Sequence, residues 1–335
     1  MRAAKSNVLF QVTPHSSNVQ SPVPGARQPA SAPPLPASPS PFSYRDLHAD
    51  IAALLAKDLF FVGAHPKSGT TWMQAMLNAH PEVSCSGEGH FANRFAPLLE
   101  SALTTHNQLI TRKNGSIFKE FKPFPLFEKQ EFAYLLATAI ALMLLRSTDH
   151  QRVRAVGEKT PDNIVHFERL AMLFPDAKFI HVLRDGRDCM VSGWFHNLRV
   201  NPEETRRRYA ALADFIPVVA NSWKMHADRG MRFQAAHPDR CVTVRYEDIV
   251  VNPRQAMRAV FRFLAVDASF GVVRRCVDAA SFETMSGGRQ PGVEDRTSFL
   301  RQGMPGNWRH HLTPADNHAF LAIAGDVMAR VGYGP

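Results

Sequence analysis

The sequence contains little cysteine: four residues in 335, namely Cys85, Cys189, Cys241 and Cys276. None of them belongs to a Cys-x-x-Cys pair or stands at metal-ligand spacing from histidine, so the sequence predicts neither a zinc site nor a disulfide framework. Scattered thiols of this kind are typical of a reducing compartment. We expect all four to fill the core.

Long apolar runs are also missing. A membrane-spanning helix needs about 20 consecutive apolar residues, and the best run here covers residues 135–145. That run predicts a buried helix instead. The N-terminus has no apolar core followed by a cleavage site, as a secretory signal would have. We therefore expect a cytoplasmic protein with no transmembrane segment.

Acidic side chains are absent from residues 1–43, which are rich in Ser, Pro and Ala. This composition fits either an organelle transit peptide or a disordered tail. The prolines between positions 22 and 41 favour the tail, because they exclude helices and sheet interiors. Folded sequence begins near Tyr44, and we predict one domain over residues 44–335.

Positive charge is in excess, with a formal net charge of +9. Such a protein attracts anions: nucleotides, nucleic acid or a membrane surface. The run Arg206-Arg207-Arg208 adds to a nucleic-acid hypothesis, but it also fits a solvated helix face. No helix-turn-helix, zinc-finger or ribonucleoprotein pattern accompanies it, so we expect no nucleic-acid partner.

Four short apolar segments are typical of buried parallel strands: residues 59–64, 153–157, 178–183 and 241–245. Each is followed by turn residues and then by a helical pattern. This alternation predicts an α/β fold, a P-loop-like three-layer sandwich in which a central parallel sheet has helices on both faces. Ligands of such sheets bind beyond the carboxyl ends of the strands.

Helix signals mark both ends of the predicted domain. A helical pattern runs from Tyr44 to Leu55. Near the C-terminus, Thr313 is a candidate cap with Pro314 at the first helical position, and Gly332 is the expected stop. The last helix is expected to be structural.

An anion site is predicted directly after the first strand, at His65-Pro66-Lys67-Ser68-Gly69-Thr70-Thr71-Trp72. The free N–H groups and the dipole of the helix that begins here favour negative charge, and Lys67 adds a cation. The order differs from the nucleotide pattern G-x-x-x-x-G-K-[ST], so no metal is implied. A kinase or other P-loop NTPase, the second enzyme class considered, requires that order.

A second cation follows the strand at residues 178–183. The planar fork of Arg184 suits a phosphate, and Ser192 on the next helix adds a hydroxyl. A structural clamp between Arg184 and Asp188 is an equally good interpretation of this segment alone.

These segments together resemble the motifs of the PAPS-dependent sulfotransferase family, where PAPS is 3′-phosphoadenosine 5′-phosphosulfate. Residues 66–72 resemble its 5′-phosphosulfate loop, and the spacing of Arg184 and Ser192 resembles its 3′-phosphate motif. A third segment, Arg301-Gln302-Gly303 with Gly306-Asn307-Trp308-Arg309, is similar to the family's Arg-Lys-Gly…Gly-Asp-Trp-Lys. Gln302 replaces the lysine, which removes one cation.

The resemblance implies transfer of a sulfuryl group from PAPS to a hydroxyl or amine of an unidentified small-molecule or glycan acceptor. It implies cofactor contacts from three sets of residues: Lys67, Ser68, Gly69, Thr70, Thr71 and Trp72 on the 5′ side; Arg184, Ser192, Arg301, Gln302 and Gly303 on the 3′ side; Trp72 and Tyr246 at the adenine. Ser281 is a weaker adenine-side candidate, because Ala280 precedes it where the family often has threonine. The intact cations argue against a degenerate, merely nucleotide-binding relative.

In this interpretation Lys67 stabilises the leaving oxygen. Glu88 is the first candidate for the general base, because glycan-modifying members place a glutamate in a comparable Glu-x-x-Phe setting. His90 is the alternative, since the ordinary pKa of histidine suits a base. Residues 158–163 lack the histidine of the cytosolic small-molecule branch, which favours the glycan-type or bacterial-type branch. Lys159 either lines the acceptor site or is a salt-bridged loop lysine.

The acceptor and the oligomeric state are not predicted by the sequence. Residues 118–132 carry five phenylalanines, which would either line an apolar acceptor site or pack into the core. We expect them to pack.

Overall fold

The computed structural model describes residues 43–148 and 152–334. The prediction for the N-terminal segment, residues 1–43, falls outside these ranges except at its last residue. Within them, no helix is both long enough and apolar enough to cross a membrane.

A five-stranded parallel sheet forms the centre of the domain. The strands are β1 (Asp58–Ala64), β2 (Val83–Ser86), β3 (Ala155–Lys159), β4 (Lys178–Leu183) and β5 (Cys241–Arg245), in the spatial order β2-β3-β1-β4-β5. Because β1 is central, the residues after β1, β3 and β4 come together at one edge of the sheet. The predicted fold class is confirmed.

The helices are α1 (Tyr44–Leu55), α2 (Thr70–Asn78), α3 (Ala96–Ser116), α4 (Lys129–Arg146), α5 (Phe167–Leu173), α6 (Gly186–Val200), α7 (Pro202–Arg208), α8 (Leu212–Ala236), α9 (Tyr246–Val251), α10 (Pro253–Phe263), α11 (Phe270–Ala279), α12 (Phe282–Met285) and α13 (Pro314–Arg330). Phe91–Phe95 form a π-helical turn, and Pro161–His166 and Asn307–His310 form 3₁₀ turns. The predicted first and last helices are confirmed. Thr313 caps α13 by accepting a hydrogen bond from the backbone N–H of Asp316 at 3.1 Å.

Alternate side chains of the central strands point to opposite faces of the sheet. On one face, Phe60 and Val62 pack with buried residues of α2, α10 and α11. On the other, Leu59 and Phe61 pack with buried residues of α1, α4 and α5. Helices therefore cover both faces, as a three-layer sandwich requires. All four cysteines are free and buried, as expected.

Two details of the strand prediction are wrong. The segment predicted at 153–157 forms a strand two residues later, at Ala155–Lys159. The strand β2 was missed, because it has only four residues and pairs only with β3 at the edge of the sheet. A short edge strand with two half-buried residues carries too weak an apolar signal to be recognised.

The packing expected for the phenylalanines of residues 118–132 is also wrong. Phe118, Phe121, Phe124 and Phe127 are all exposed. Only the last of the five, Phe132, packs against the core, where it contacts the cluster that includes α4.

Candidate active site

The loop between β1 and α2 has an unusual backbone that leaves the start of the helix uncapped by side chains. Lys67 and Gly69 adopt left-handed conformations, with φ of 72° and 92°. Gly69 is the N-cap of α2 and offers no capping side chain, so the first N–H groups of the helix stay available. A Cβ at Gly69 would lie 2.6 Å from the Tyr246 ring, which explains why glycine stands here.

The side chain of Lys67 is partly buried, with Nζ 4.5 Å from the centroid of the Phe299 ring. Burial lowers the pKa of Lys67 to about 8, and the guanidinium groups of Arg199 and Arg184 act in the same direction. Among residues 43–148 and 152–334, no carboxylate forms an ion pair with this ammonium. Within the described residues, no direct ion pair therefore neutralises the charge of Lys67.

Arg184 connects the loop to the C-terminal segment. Its Nη1 donates to the Lys67 carbonyl at 3.0 Å, its Nη2 donates to the Met304 carbonyl at 3.5 Å, and its plane lies 4.2 Å from the Tyr246 ring centroid. The side chain is buried, and its Nε has no hydrogen-bond partner among the described residues. A buried, unsatisfied guanidinium N–H is costly unless an anion binds it.

The alternative interpretation, a clamp between Arg184 and Asp188, finds limited support. Their closest approach is 3.9 Å. Asp188 instead accepts hydrogen bonds from the backbone N–H groups of Gly306 at 2.6 Å and Trp308 at 2.9 Å. Its main contacts are thus to the C-terminal segment. The close ion pair in this region joins Arg187 and Asp185, at 2.8 Å.

The C-terminal segment places Arg301 near the same site. Two of the three guanidinium nitrogens of Arg301 already have partners within the protein. Its Nη1 pairs with Glu294 and its Nη2 donates to Asn307 Oδ1 at 2.6 Å, whereas Nε has no partner in the described part of the chain. Gln302 donates to the Gly292 carbonyl at 3.3 Å. Gly303 has φ of 70°, and a Cβ there would lie 2.4 Å from the Phe282 ring.

Ser192 is half-buried on α6, and its hydroxyl forms no hydrogen bond with the described residues. Its neighbour Gly193 faces the loop, since a Cβ there would lie 3.9 Å from Cγ of Lys67. The helix that carries Ser192 is therefore adjacent to Lys67.

Trp72 and Tyr246, the residues predicted to contact the adenine, lie edge to face, with ring centroids 5.8 Å apart. Trp72 Nε1 donates to the Ala280 carbonyl at 2.7 Å, which fixes the indole plane. Ser281, the weaker candidate, caps α12 by accepting from the N–H of Thr284. Its hydroxyl is thus engaged in a local role.

The candidate base Glu88 lies beside two basic side chains. Glu88 Oε1 accepts from Lys159 Nζ at 2.6 Å, and Glu88 Oε2 lies 3.5 Å from His90 Nε2. The Lys159 side chain is 4% exposed, whereas that of Glu88 is 41% exposed. Lys159 is thus salt-bridged, as one of its two interpretations proposed, and its partner is the candidate base.

Glu158 holds the loop at residues 87–90, which carries Glu88, through a hydrogen bond. This role of Glu158 was not predicted from the sequence. The carboxylate is buried and accepts from the Gly89 N–H at 2.8 Å, from Asn163 Nδ2 at 2.7 Å and from the Thr160 hydroxyl. Burial raises the pKa of Glu158, and these hydrogen bonds oppose that shift. The sequence does not show this contact, because only the pairing of β2 with β3 brings residues 87–90 over the end of β3.

His196 and Phe299 near Lys67 were also missed. Burial lowers the pKa of His196 to about 4, and the charges of Lys67 and Arg199 add to the effect. His196 is therefore a neutral imidazole at pH 7 and a weak base. Neither residue belongs to a motif, so only the fold reveals them.

The residues fit an anionic ligand. Lys67 is unpaired, and the buried Nε atoms of Arg184 and Arg301 lack partners in the described ranges. In those ranges, no group of three or more His, Cys, Asp or Glu side chains has the arrangement of a metal site. The arrangement suits a ligand with several negative charges, bound across the loop and the C-terminal segment.

Several known proteins are similar in sequence to this chain. Residues 59–269 match the model of the sulfotransferase family. A protein-tyrosine sulfotransferase of Drosophila melanogaster is 27% identical over 210 residues, which are 62% of this chain and 38% of that protein. Protein-tyrosine sulfotransferase 2 of Gallus gallus is 25% identical over 288 residues, 83% of this chain and 70% of that one. Human sulfotransferase 1C2 is 30% identical over 163 residues, 44% and 53% of the two chains.

A solved structure also resembles the fold. Mouse sulfotransferase SULT7A1 complexed with PAP aligns with a TM-score of 0.49 and 17% identity, over 86% of this chain and 91% of that one.

Proposed function

Because the chain belongs to the sulfotransferase family, we propose that it transfers a sulfuryl group from PAPS to a hydroxyl or amine of an acceptor by in-line displacement. The observation that carries this proposal is the set of unpaired cationic groups around the β1–α2 loop: the Lys67 ammonium and the buried Nε of Arg184 and of Arg301. A donor with a phosphosulfate and a 3′-phosphate carries one anionic group for Lys67 and another for Arg184 and Arg301.

The 5′ side of the donor is assigned to the N-terminus of α2. Free N–H groups, the helix dipole and the hydroxyls of Thr70 and Thr71 favour a phosphosulfate there. The 3′-phosphate is assigned to Arg184, Ser192 and the segment from Arg301 to Gly303. Trp72 and Tyr246 offer aromatic surface to the adenine, and base–aromatic contacts contribute about 1–3 kcal/mol each.

Lys67 is assigned to the leaving oxygen. As the bond between sulfur and the bridging oxygen breaks, negative charge builds on that oxygen, and a nearby ammonium stabilises the transition state more than the ground state. Burial strengthens such an interaction because little water screens it. No metal is needed for this role.

Glu88 is assigned to the acceptor proton. As the acceptor oxygen or nitrogen bonds to sulfur, its proton passes to the Glu88 carboxylate. The ion pair with buried Lys159 fixes the orientation of this carboxylate. His90 contacts the same carboxylate at 3.5 Å and is the second candidate. The pKa of His196, about 4, makes that residue a poor base at neutral pH.

The relatives in the comparison point to a class of acceptor. Among the curated relatives, some are named as protein-tyrosine sulfotransferases and others as cytosolic sulfotransferases. We therefore expect a hydroxyl acceptor and propose a screen with a tyrosine-containing peptide, a simple phenol, a glycan and an aliphatic amine. Radiolabelled PAPS without added metal is the donor.

The test of the mechanism is Glu88→Gln on whichever acceptor is sulfated. General-base catalysis contributes about 10²–10⁴-fold, so the transfer rate should fall at least a hundredfold while affinity for the desulfated nucleotide PAP stays within about twofold. The His90→Gln substitution should lower the transfer rate much less. Glu168→Gln changes an exposed glutamate on α5 and is the matched control. A Glu88→Gln variant with the full transfer rate would remove Glu88 from the mechanism.

A further inference from the structure

The helices α3 and α4 and their connection form a projection from the domain. Of the 21 residues of α3, Ala96 alone is buried, and the first buried residue of α4 is Leu136. Every residue from 115 to 131 is exposed. Since α3 rises 1.5 Å per residue, it is roughly 30 Å long. We call residues 112–127, at its far end, the tip.

Side-chain hydrogen bonds from α3 fix the backbone of the tip. Asn114 Nδ2 donates to the Phe124 carbonyl at 2.9 Å, and the Phe124 N–H donates back to Asn114 Oδ1 at 3.1 Å. One heptad earlier on α3, Asn107 makes the same pair of hydrogen bonds with Phe127, at 2.7 and 2.9 Å. Two asparagines on one helix face thus fix the return segment by its backbone, which leaves its side chains directed outward.

The side chains presented in this way are large and apolar. Phe121 is 70% exposed and Phe124 is 65% exposed, and Ile117 and Phe118 stand beside them, also exposed. The rings of Phe118 and Phe121 contact each other, with centroids 6.4 Å apart. A contiguous cluster of exposed apolar side chains on a protein surface marks an interaction site.

Basic side chains alternate with these rings. Arg112, Lys113, Lys119 and Lys122 belong to the tip, against a single carboxylate, Glu120. In the described part of the chain, none of the four cations forms an ion pair. The tip therefore combines exposed aromatic rings with a net positive charge.

We propose that the tip docks the protein onto the surface of an anionic lipid bilayer. Phenylalanine rings enter the boundary between headgroups and acyl chains, while lysines remain at the level of the anionic headgroups. Each basic side chain near such a surface strengthens binding, and salt weakens it. A second copy of the chain is a poorer occupant, because a two-fold interface at this tip would bring the same cations face to face.

The test is co-sedimentation of the full chain with vesicles, either phosphatidylcholine alone or phosphatidylcholine and phosphatidylglycerol in equal parts. We expect strong binding to the anionic vesicles, weak binding to the neutral ones, and loss of binding at high salt. Lys119→Gln with Lys122→Gln should weaken binding to anionic vesicles about thirtyfold. Phe121→Ser with Phe124→Ser should weaken it at least tenfold.

Matched controls lie elsewhere on the surface. Arg258→Gln with Arg262→Gln removes the same charge from exposed positions of α10, and Phe270→Ser removes an exposed ring from α11. Both should bind as the wild type does. Equal binding to neutral and anionic vesicles, or tip variants that bind as the controls do, would overturn the proposal. So would light scattering that shows a dimer which the Phe121→Ser, Phe124→Ser variant dissociates.

Discussion

Lys67 carries the charge that the proposed transfer needs, and its burial makes that charge sensitive to pH. The folded-state pKa, about 8, lies below the ordinary value for lysine. Between these two values the unfolded chain binds more protons than the folded chain, so the contribution of Lys67 to stability rises with pH there. Ligand binding that requires the ammonium falls over the same interval.

We therefore expect the affinity for PAP to fall about thirtyfold between about pH 7 and about pH 9.5, because the protonated fraction of Lys67 falls by that factor. The Lys67→Arg variant keeps its charge throughout, so its affinity should stay nearly constant over the interval. Titration calorimetry at several pH values measures both. Parallel pH profiles for the two proteins would show that Lys67 is not the titrating group.

Glu158 supports the candidate base without touching the acceptor. Glu158→Gln keeps the shape of the side chain but replaces one acceptor oxygen by an NH₂ group. That group then faces either the Gly89 N–H or Asn163 Nδ2, both of which donate to the carboxylate. We expect the free energy of unfolding to fall by about 1–3 kcal/mol. The transfer rate should fall about tenfold because the Glu88 loop is less well positioned.

The measurement that separates this role from general destabilisation is PAP affinity below the melting temperature. It should match that of the wild type, because the loop at residues 87–90 lies on the acceptor side. A large loss of PAP affinity would instead assign Glu158 to the donor site.

Among the structural elements, the C-terminal segment depends on one carboxylate of α6. Asp188 accepts from the N–H groups of Gly306 and Trp308 and so holds the stretch that carries Arg301 and Met304. Asp188→Ala should lower the free energy of unfolding by about 1–3 kcal/mol and weaken PAP binding about tenfold. Calorimetric unfolding and PAP titration check the two effects.

The control is Asp278→Ala, which removes an exposed aspartate that forms a long ion pair with Arg254 at 3.6 Å. It should leave both quantities unchanged. If Asp188→Ala lowers stability but leaves PAP affinity intact, the C-terminal segment does not contribute to the donor site.

The strands and the loops after them could be predicted because their signal is local. Buried parallel strands such as β4 are continuous apolar runs, and the loop from Lys67 to Trp72 is a contiguous motif. The edge strand β2 could not be predicted, since its four residues carry little burial. The link between Glu88 and Lys159 could not be predicted either, because 71 positions separate them and only the sheet order joins them.

Across the domain, composition predicted an anion-binding protein but could not place its surfaces. The tip illustrates why, because a phenylalanine-rich segment normally packs into the core. The sequence alone does not show that Asn107 and Asn114 bind the backbone of this segment and leave its rings exposed. The phosphate-side cations, in contrast, were found from motifs, and the fold brings Lys67, Arg184 and Arg301 to one region. The roles of these residues toward PAPS remain predictions.

The most direct test of the proposed donor site is calorimetric binding of PAP, without metal, to the wild type, to Arg184→Ala and to the exposed control Arg258→Ala. We predict micromolar binding to the wild type and the control. Arg184→Ala should weaken binding on the order of a hundredfold, because it leaves a phosphate unpaired in a buried site. Absence of PAP binding, together with binding of ATP in the presence of Mg²⁺, would contradict the account and favour a kinase-like activity.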